Sequence, residues 1–282
     1  MRKGKNMLEA LHFTFFRNAL LAGALVSIAC GIIGTFIIVN RLVFLSGGIA
    51  HAAYGGIGIA YFLKQDPVLG AVLFSLISAF GMGTVVRKTR ERADTIIGVM
   101  WAIGMALGII FLDFSPGYKA DLMSYLFGSI LAVPASDLLF MVVLDSIILL
   151  TVILLYKGLV AISFDEEFAT VENVPVNTLF FILFALIALT VVITMRLVGL
   201  IMVIALLTIP PAIAGIYFKD LKKMMVVASL LGILFSTCGL FLSYFFNLTS
   251  GATIILISGI AYGLAQAGKS LSNRRKTLFN AR

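Results

Sequence analysis

Charge is scarce in this chain, and acid scarcest of all. Only 13 of 282 residues are Asp or Glu, against 21 Lys and Arg, and charged residues make up 12% of the whole. With 61% hydrophobic residues and a mean hydropathy of +1.11, so thin a polar complement cannot cover a soluble domain. It reads as a polytopic helical membrane protein, all-α. Strict alternation of apolar and polar residues is missing too, which excludes a transmembrane β-barrel. There are two cysteines. Cys30 and Cys238 both lie within apolar runs, so they read as small core residues rather than a disulfide or metal pair. The first long apolar run has no convincing small-residue cleavage site, and is read as a retained helix rather than a signal peptide. No stretch between apolar runs is long enough for a second folded domain. The formal net charge of +8 comes from short clusters between apolar runs, not from one basic stripe. It marks topology and not a nucleic-acid partner.

What is present is a succession of apolar segments at about 19–40, 42–62, 68–86, 95–112, 135–156, 176–195, 198–217, 224–246 and 252–267. Some are short for a full crossing, so the expectation is a bundle of about eight or nine spans. Residues 1–18, with Phe13, Phe15 and Phe16 among basic residues, suggest a helix lying in the interface and leading into the first span. Nine crossings put fourteen Lys/Arg on one side and seven on the other. The richer side is expected to be cytoplasmic, which places the basic tail 268–282 inside and the N-terminus outside. The basic residues of the N-terminus argue the other way, and a re-entrant early segment would move that end inside.

One stretch stands out: Ser46-Gly-Gly-Ile-Ala-His-Ala-Ala-Tyr-Gly-Gly-Ile-Gly58, centred on His51. Its segment is long enough at ~1.5 Å per residue to cross the hydrocarbon, so His51 falls near the bilayer midplane. An imidazole there needs a polar pathway or a partner. Two readings fit: a histidine satisfied by a neighbouring helix, or a ligand or relay on a transport path. The small residues around it, including Gly55 and Gly56, would let helices or a solute come close.

Three connections add to this. The segment 113–134 is semi-apolar and carries Asp121, Tyr125, Gly128 and Ser129; it suits short helices capping a pore mouth. Segment 157–175 contains Ser163-Phe-Asp-Glu-Glu-Phe-Ala169. Ser163 with Glu166 reads as a capping box, and Asp165, Glu166 and Glu167 suit the positive end of a helix. Phe164 and Phe168 are four apart and share a face, so a short helix that docks a cytoplasmic partner is expected there. A plain solvated connector is the alternative. Finally, Pro210 and Pro211 lie inside the segment 198–217. They should free the carbonyls of residues 206 and 207 and kink that helix, as a packing device or as a gate. Asp145 is a further intramembrane acid, for which a helix-packing hydrogen bond and pore lining both fit.

Gly263-Leu-Ala-Gln-Ala-Gly-Lys-Ser270 matches the phosphate-binding pattern GxxxxGK[ST] letter for letter. The motif requires a preceding strand and an α/β sheet. Here it closes a membrane helix with twelve residues after it, so ATP, if used, must come from another chain.

Several stretches taken together resemble the membrane permeases of ABC importers for zinc, manganese and iron(II), over 7–267. Asn40-Arg-Leu-Val-Phe-Leu-Ser-Gly-Gly-Ile-Ala-His51-Ala52 is similar to the family's Arg-Arg-Leu-Ser-x-x-Gly-Asp-x-x-x-His-(Ala/Ser). Asp94-Thr-Ile-Ile-Gly98, Asp121-Leu-Met-Ser-Tyr-Leu-Phe-Gly128, Val198-Gly to Pro210 and Ser250-Gly-Ala-Thr253 resemble four further family motifs in the right order. The resemblance implies a type II ABC importer-like permease, not itself an enzyme, in a prokaryotic plasma membrane. It implies a homodimer set in membrane lipid, an ABC ATPase docked on each copy, and an extracytoplasmic metal-binding protein. Phe164 to Ala169 would form the coupling helix. No cofactor is held permanently; the divalent metal ion is cargo.

The chain departs from the pattern at Gly47, where the family has an aspartate, at Ser129, and at Asn173, where a glycine is common. Asn tolerates the left-handed conformation. The departures leave His51 as the main metal candidate, with Tyr54, Asp121 and Ser129 conditional on it. Gly47, Gly55, Gly56, Pro210, Pro211 and Asp145 are the pore and gate candidates. An importer of a metal chelate or cobalamin-like solute is the alternative, mildly favoured by Gly47. An ion-coupled secondary carrier is a third reading, but it would have no use for a docking helix.

Overall fold

The computed structural model describes residues 12–88, 93–115 and 133–280, so Asp121 and Ser129 lie outside the described residues. Those described form ten helices: α1 Thr14–Val39, α2 Val43–Phe62, α3 Pro67–Lys88, α4 Ala93–Phe114, α5 Ala135–Phe164, α6 Glu166–Val171, α7 Val176–Val198, α8 Leu200–Tyr217, α9 Leu221–Phe246 and α10 Ser250–Asn280. No strand occurs among them. Eight are long and apolar enough to cross a membrane, and α8 supplies a shorter apolar helix, Met202–Tyr217. A bilayer leaves backbone groups no water to bond, so every crossing is a closed helix.

Several of the short turns reverse the chain at residues other than glycine. At the α1–α2 turn Arg41 takes φ 58°, and the amide of Leu42 reaches back to the carbonyl of Ile37 at 2.8 Å. Lys64, Asn173 and Asn247 take the same left-handed conformation. After α6, the amide of Val174 bonds the carbonyl of Ala169 at 2.9 Å around Asn173. Each is a helix stop that satisfies carbonyls otherwise left open. Asn173 therefore does what was expected of it in place of a glycine.

With hydrocarbon outside, helices gain nothing by hiding apolar side chains from each other, and close backbone approach holds them instead. The centre of the bundle shows this. Gly56 and Gly70 bring α2 and α3 together so closely that a Cβ at Gly56 would stand 2.2 Å from the Gly70 carbonyl oxygen. Gly31 of α1 meets the backbone of Ser229 on α9, and Gly232 of α9 meets Ser27. The Ser27 hydroxyl lies 3.2 Å from that of Ser236. α2 is enclosed by α3, α4, α7 and α8, whereas α4, α5 and α10 present large apolar side chains such as Ile103, Leu154 and Leu264 outward.

One expectation is revised. The amphipathic segment expected over 1–18 does not extend that far, because α1 already begins at Thr14. Phe16 is not interfacial: it is fully buried, with its ring 5.1 Å from that of Phe241 and 5.5 Å from that of Tyr244. At the other end, α10 continues through Lys269 to Asn280, so the basic tail extends a helix. The GxxxxGK[ST] look-alike is helical throughout, with neither the strand nor the loop that phosphate binding needs.

Candidate functional site: a midspan imidazole and a docking helix

His51 sits on α2, eight residues into a helix of twenty, and is half-buried. It reaches the adjacent α4 because that helix is very close. A Cβ at Gly104 would stand 2.7 Å from the Cα of Ala52, and one at Gly58 2.2 Å from the Gly108 carbonyl oxygen. Across this seam the His51 ring stacks on Trp101, with centroids 4.1 Å apart and planes 18° from parallel. Its Nδ1 lies 3.1 Å from the sulfur of Met105, and the Trp101 indole N–H donates to the same sulfur at 3.4 Å. Trp101 and Met105 are four apart, one turn of α4, and so share a face. A polar ring is thus kept in an apolar span by a weak sulfur acceptor and an aromatic face.

The remaining predicted positions are dispersed around this pair. Tyr54 is buried, its ring against Gly108. Gly55 faces the Gly104 carbonyl and Phe74, Gly56 faces α3, and Gly47 faces Ile204 of α8. In the described structure these glycines serve helix contact. Pro210 and Pro211 are buried in α8, which stays helical through them. Proline at 211 cannot bond the Leu207 carbonyl, and that oxygen with the Pro211 ring packs on Gly34 of α1. Asp145 is buried in α5 with neither carboxylate oxygen hydrogen-bonded. It therefore makes no packing hydrogen bond of the kind anticipated. No group of three or more His, Cys, Asp or Glu close enough to hold a metal occurs among the described residues. The described residues place one imidazole beside one thioether, too few donors to cage a metal ion.

The second element lies at the far end of α5. α6, Glu166–Val171, is a single short helix. Ser163 does not cap it, contrary to the capping box expected: Ser163 still belongs to α5 and donates to the Leu159 carbonyl at 2.7 Å. Asp165 is the cap, its Oδ1 accepting from the amide of Phe168 at 2.9 Å. Phe164 and Phe168 are 64% and 61% exposed and Ala169 is buried, but the two rings do not share one helix face as expected: Phe164 ends α5, and Asp165 is extended before α6 begins at Glu166. The helix is tied to the bundle. Arg87, at the end of α3, places Nη2 3.7 Å from the Glu166 carboxylate and lies over the Phe180 ring of α7 at 4.8 Å. Asn40 donates to the Ser163 hydroxyl at 3.0 Å, bringing the α1–α2 turn to the same end.

Sequence reasoning missed Trp101, Met105 and Arg87. Trp101 is the single tryptophan, and Met105 follows it by one turn, but nothing in a one-dimensional pattern pairs that face with His51.

The chain is thus an all-helical, multi-pass bundle with an imidazole midway along α2 and a short helix tied to one end. The ABC 3 transport family is matched over residues 12–268, and the chain belongs to that family. It is 58% identical over 261 residues to the uncharacterized membrane protein slr2045 of Synechocystis sp., covering 93% of each chain. It is 35% identical to the manganese transport system membrane protein MntC of Listeria monocytogenes, over 90% of this chain and 91% of the relative. Among solved structures, PsaBC from Streptococcus pneumoniae in complex with Fab contains a chain that superposes with a TM-score of 0.84. The two are 32% identical, and the match covers 92% of this chain and 95% of that one.

Proposed function

We propose that this protein is the permease subunit of an ABC importer for a divalent transition metal ion. Two copies would enclose the path, each with an ATPase on its α6, and an extracytoplasmic metal-binding protein would deliver the ion. The observation that carries the reading is His51, a half-buried imidazole midway along a helix where Gly47, Gly48, Ala50, Ala52, Ala53, Gly55 and Gly56 surround it in sequence. Alternating access moves an ion past such a ligand when the partner hydrolyses ATP, and a sparse donor set favours release. If Asp121 and Ser129 add oxygen donors, the set becomes harder and better suited to manganese. The Listeria relative named for manganese transport supports that direction.

The test is radiometal uptake into vesicles holding the permease with its ATPase. Uptake should require ATP and should fall to background in His51→Ala, with insertion and dimerisation retained. A chelate importer is the second reading, favoured by Gly47 where the family has an acid. It requires that pre-formed metal chelate be taken up and free ion not, which the same assay separates.

A further inference from the structure

Away from both sites, α1, α5 and α9 frame a groove of about 760 Å³ on the outer face of the bundle. Its walls are aliphatic, including Ile28, Leu149, Val226 and Ile233, and Lys157 and Lys222 stand at one end beside Tyr156. We propose that this groove binds an anionic phospholipid of the cytoplasmic leaflet, with an acyl chain against the aliphatic walls and the headgroup phosphate between Lys157 and Lys222.

Three observations point to that occupant. The polar groups gather at one end only. Ser229, the hydroxyl within the groove, already donates to the Ile28 carbonyl at 3.4 Å, which leaves the interior apolar. Second, the length fits a lipid. From Lys157 back to Leu149 is ~12 Å of helix, and from Lys222 to Ile233 ~16 Å, about one leaflet of a ~30 Å hydrocarbon core. A partner's membrane helix would need a face twice as long. Third, the lysines are placed for a phosphate. The Lys222 ammonium is held over the Tyr156 ring, 5.0 Å from its centroid, so its stem lies along the groove while its charge stays at the rim. Lys219 and Lys223 flank it in sequence, and the nearby acid, Asp220, is engaged in capping α9 through the Lys223 amide at 2.9 Å. Lysines between membrane helices on the cytoplasmic side are the setting in which anionic headgroups bind.

The experiment is native mass spectrometry of the purified full chain with an equal mixture of phosphatidylglycerol and phosphatidylcholine of matched chains. The wild type should retain phosphatidylglycerol about tenfold over phosphatidylcholine, since two lysines each favour the anionic headgroup. Lys157→Glu/Lys222→Glu should abolish that preference, and Lys157→Gln/Lys222→Gln should reduce it without adding acid. Lys64→Glu, in the α2–α3 turn at the opposite end, should leave it intact. Equal retention of both lipids by the wild type, or an unchanged preference in the double variants, overturns the proposal. So does a double variant that loses its dimer yet keeps phosphatidylglycerol, because a second copy would then cover the groove.

Discussion

At the scale of single residues, His51 is defined by its neighbours on α4. Met105 accepts from the indole and lies within 3.1 Å of the imidazole, so it fixes which way the ring points. Met105→Leu conserves volume and should cost little stability, yet it removes the sulfur. Metal uptake should fall about tenfold, as for loss of other groups that orient a ligand, and the fall should appear in the rate measured at saturating ATP. Unchanged uptake would make Met105 mere packing. Gly47 permits the converse experiment, one turn before His51 on the same helix. A Cβ there would stand 3.2 Å from the tip of Ile204, a flexible side chain that can give way. Gly47→Asp should therefore fold, and it adds a hard oxygen donor on the His51 side of α2. The expected outcome is a rise in manganese uptake relative to zinc in competition; a lower ratio would count against a metal path along this face. Gly56 differs in kind. Its missing Cβ faces a carbonyl oxygen, so Gly56→Leu should exceed the ~1–3 kcal/mol usual for overpacking and cost the protein its fold, seen as loss of detergent-stable protein before any transport defect.

At the scale of elements, α6 is the piece whose behaviour was most legible in the sequence, and the piece misread in two details. Acids at its start and an Asn at its stop follow from local chemistry and are found in place; the shared face of the two phenylalanines is not, because Phe164 ends α5 and Asp165 is extended between it and α6. The cap shifted from Ser163 to Asp165 because α5 runs on one turn further than its apolar stretch, carried by the Asn40 bond to Ser163. That contact spans 123 residues and has no local signature. The same holds for the imidazole: its midspan depth was readable from segment length, but the Trp101 stack depends on α2 and α4 meeting through Gly104 and Gly108. The exposed phenylalanines should bury in the ATPase. Phe164→Ala/Phe168→Ala should weaken co-purification by thirtyfold or more, roughly the loss of ~2 kcal/mol expected for anchoring aromatics. Arg87→Ala leaves those anchors intact but cuts the tie between α6 and α3. It should preserve the complex and its ATP hydrolysis while lowering metal uptake per ATP; equal coupling would mean that motion reaches the bundle elsewhere.

At the scale of the whole molecule, the helices alternate in direction, and side-chain bonds identify which turns share an end. Asn40 with Ser163, Arg87 with Glu166, Lys222 with Tyr156, and the Tyr217 hydroxyl with the Ala265 carbonyl at 3.3 Å gather the α1–α2 turn, the end of α3, the α5–α7 connection and the α8–α9 turn together. Lys64 lies at the other end, after α2. The gathered end carries most of the basic residues and by the positive-inside rule is expected to be cytoplasmic, and it is also the end bearing α6, where the proposed ATPase would dock. Charge and docking therefore demand the same orientation from independent features. Single cysteines at Lys64, Lys157 and Lys223 test it, because Cys30 is buried and both native thiols lie within helices of the bundle. In intact cells an impermeant maleimide should label Lys64→Cys and leave Lys157→Cys and Lys223→Cys unmodified until the membrane is opened. The reverse pattern would turn α6 outward, away from any ATPase, and would end the importer reading whatever His51 does.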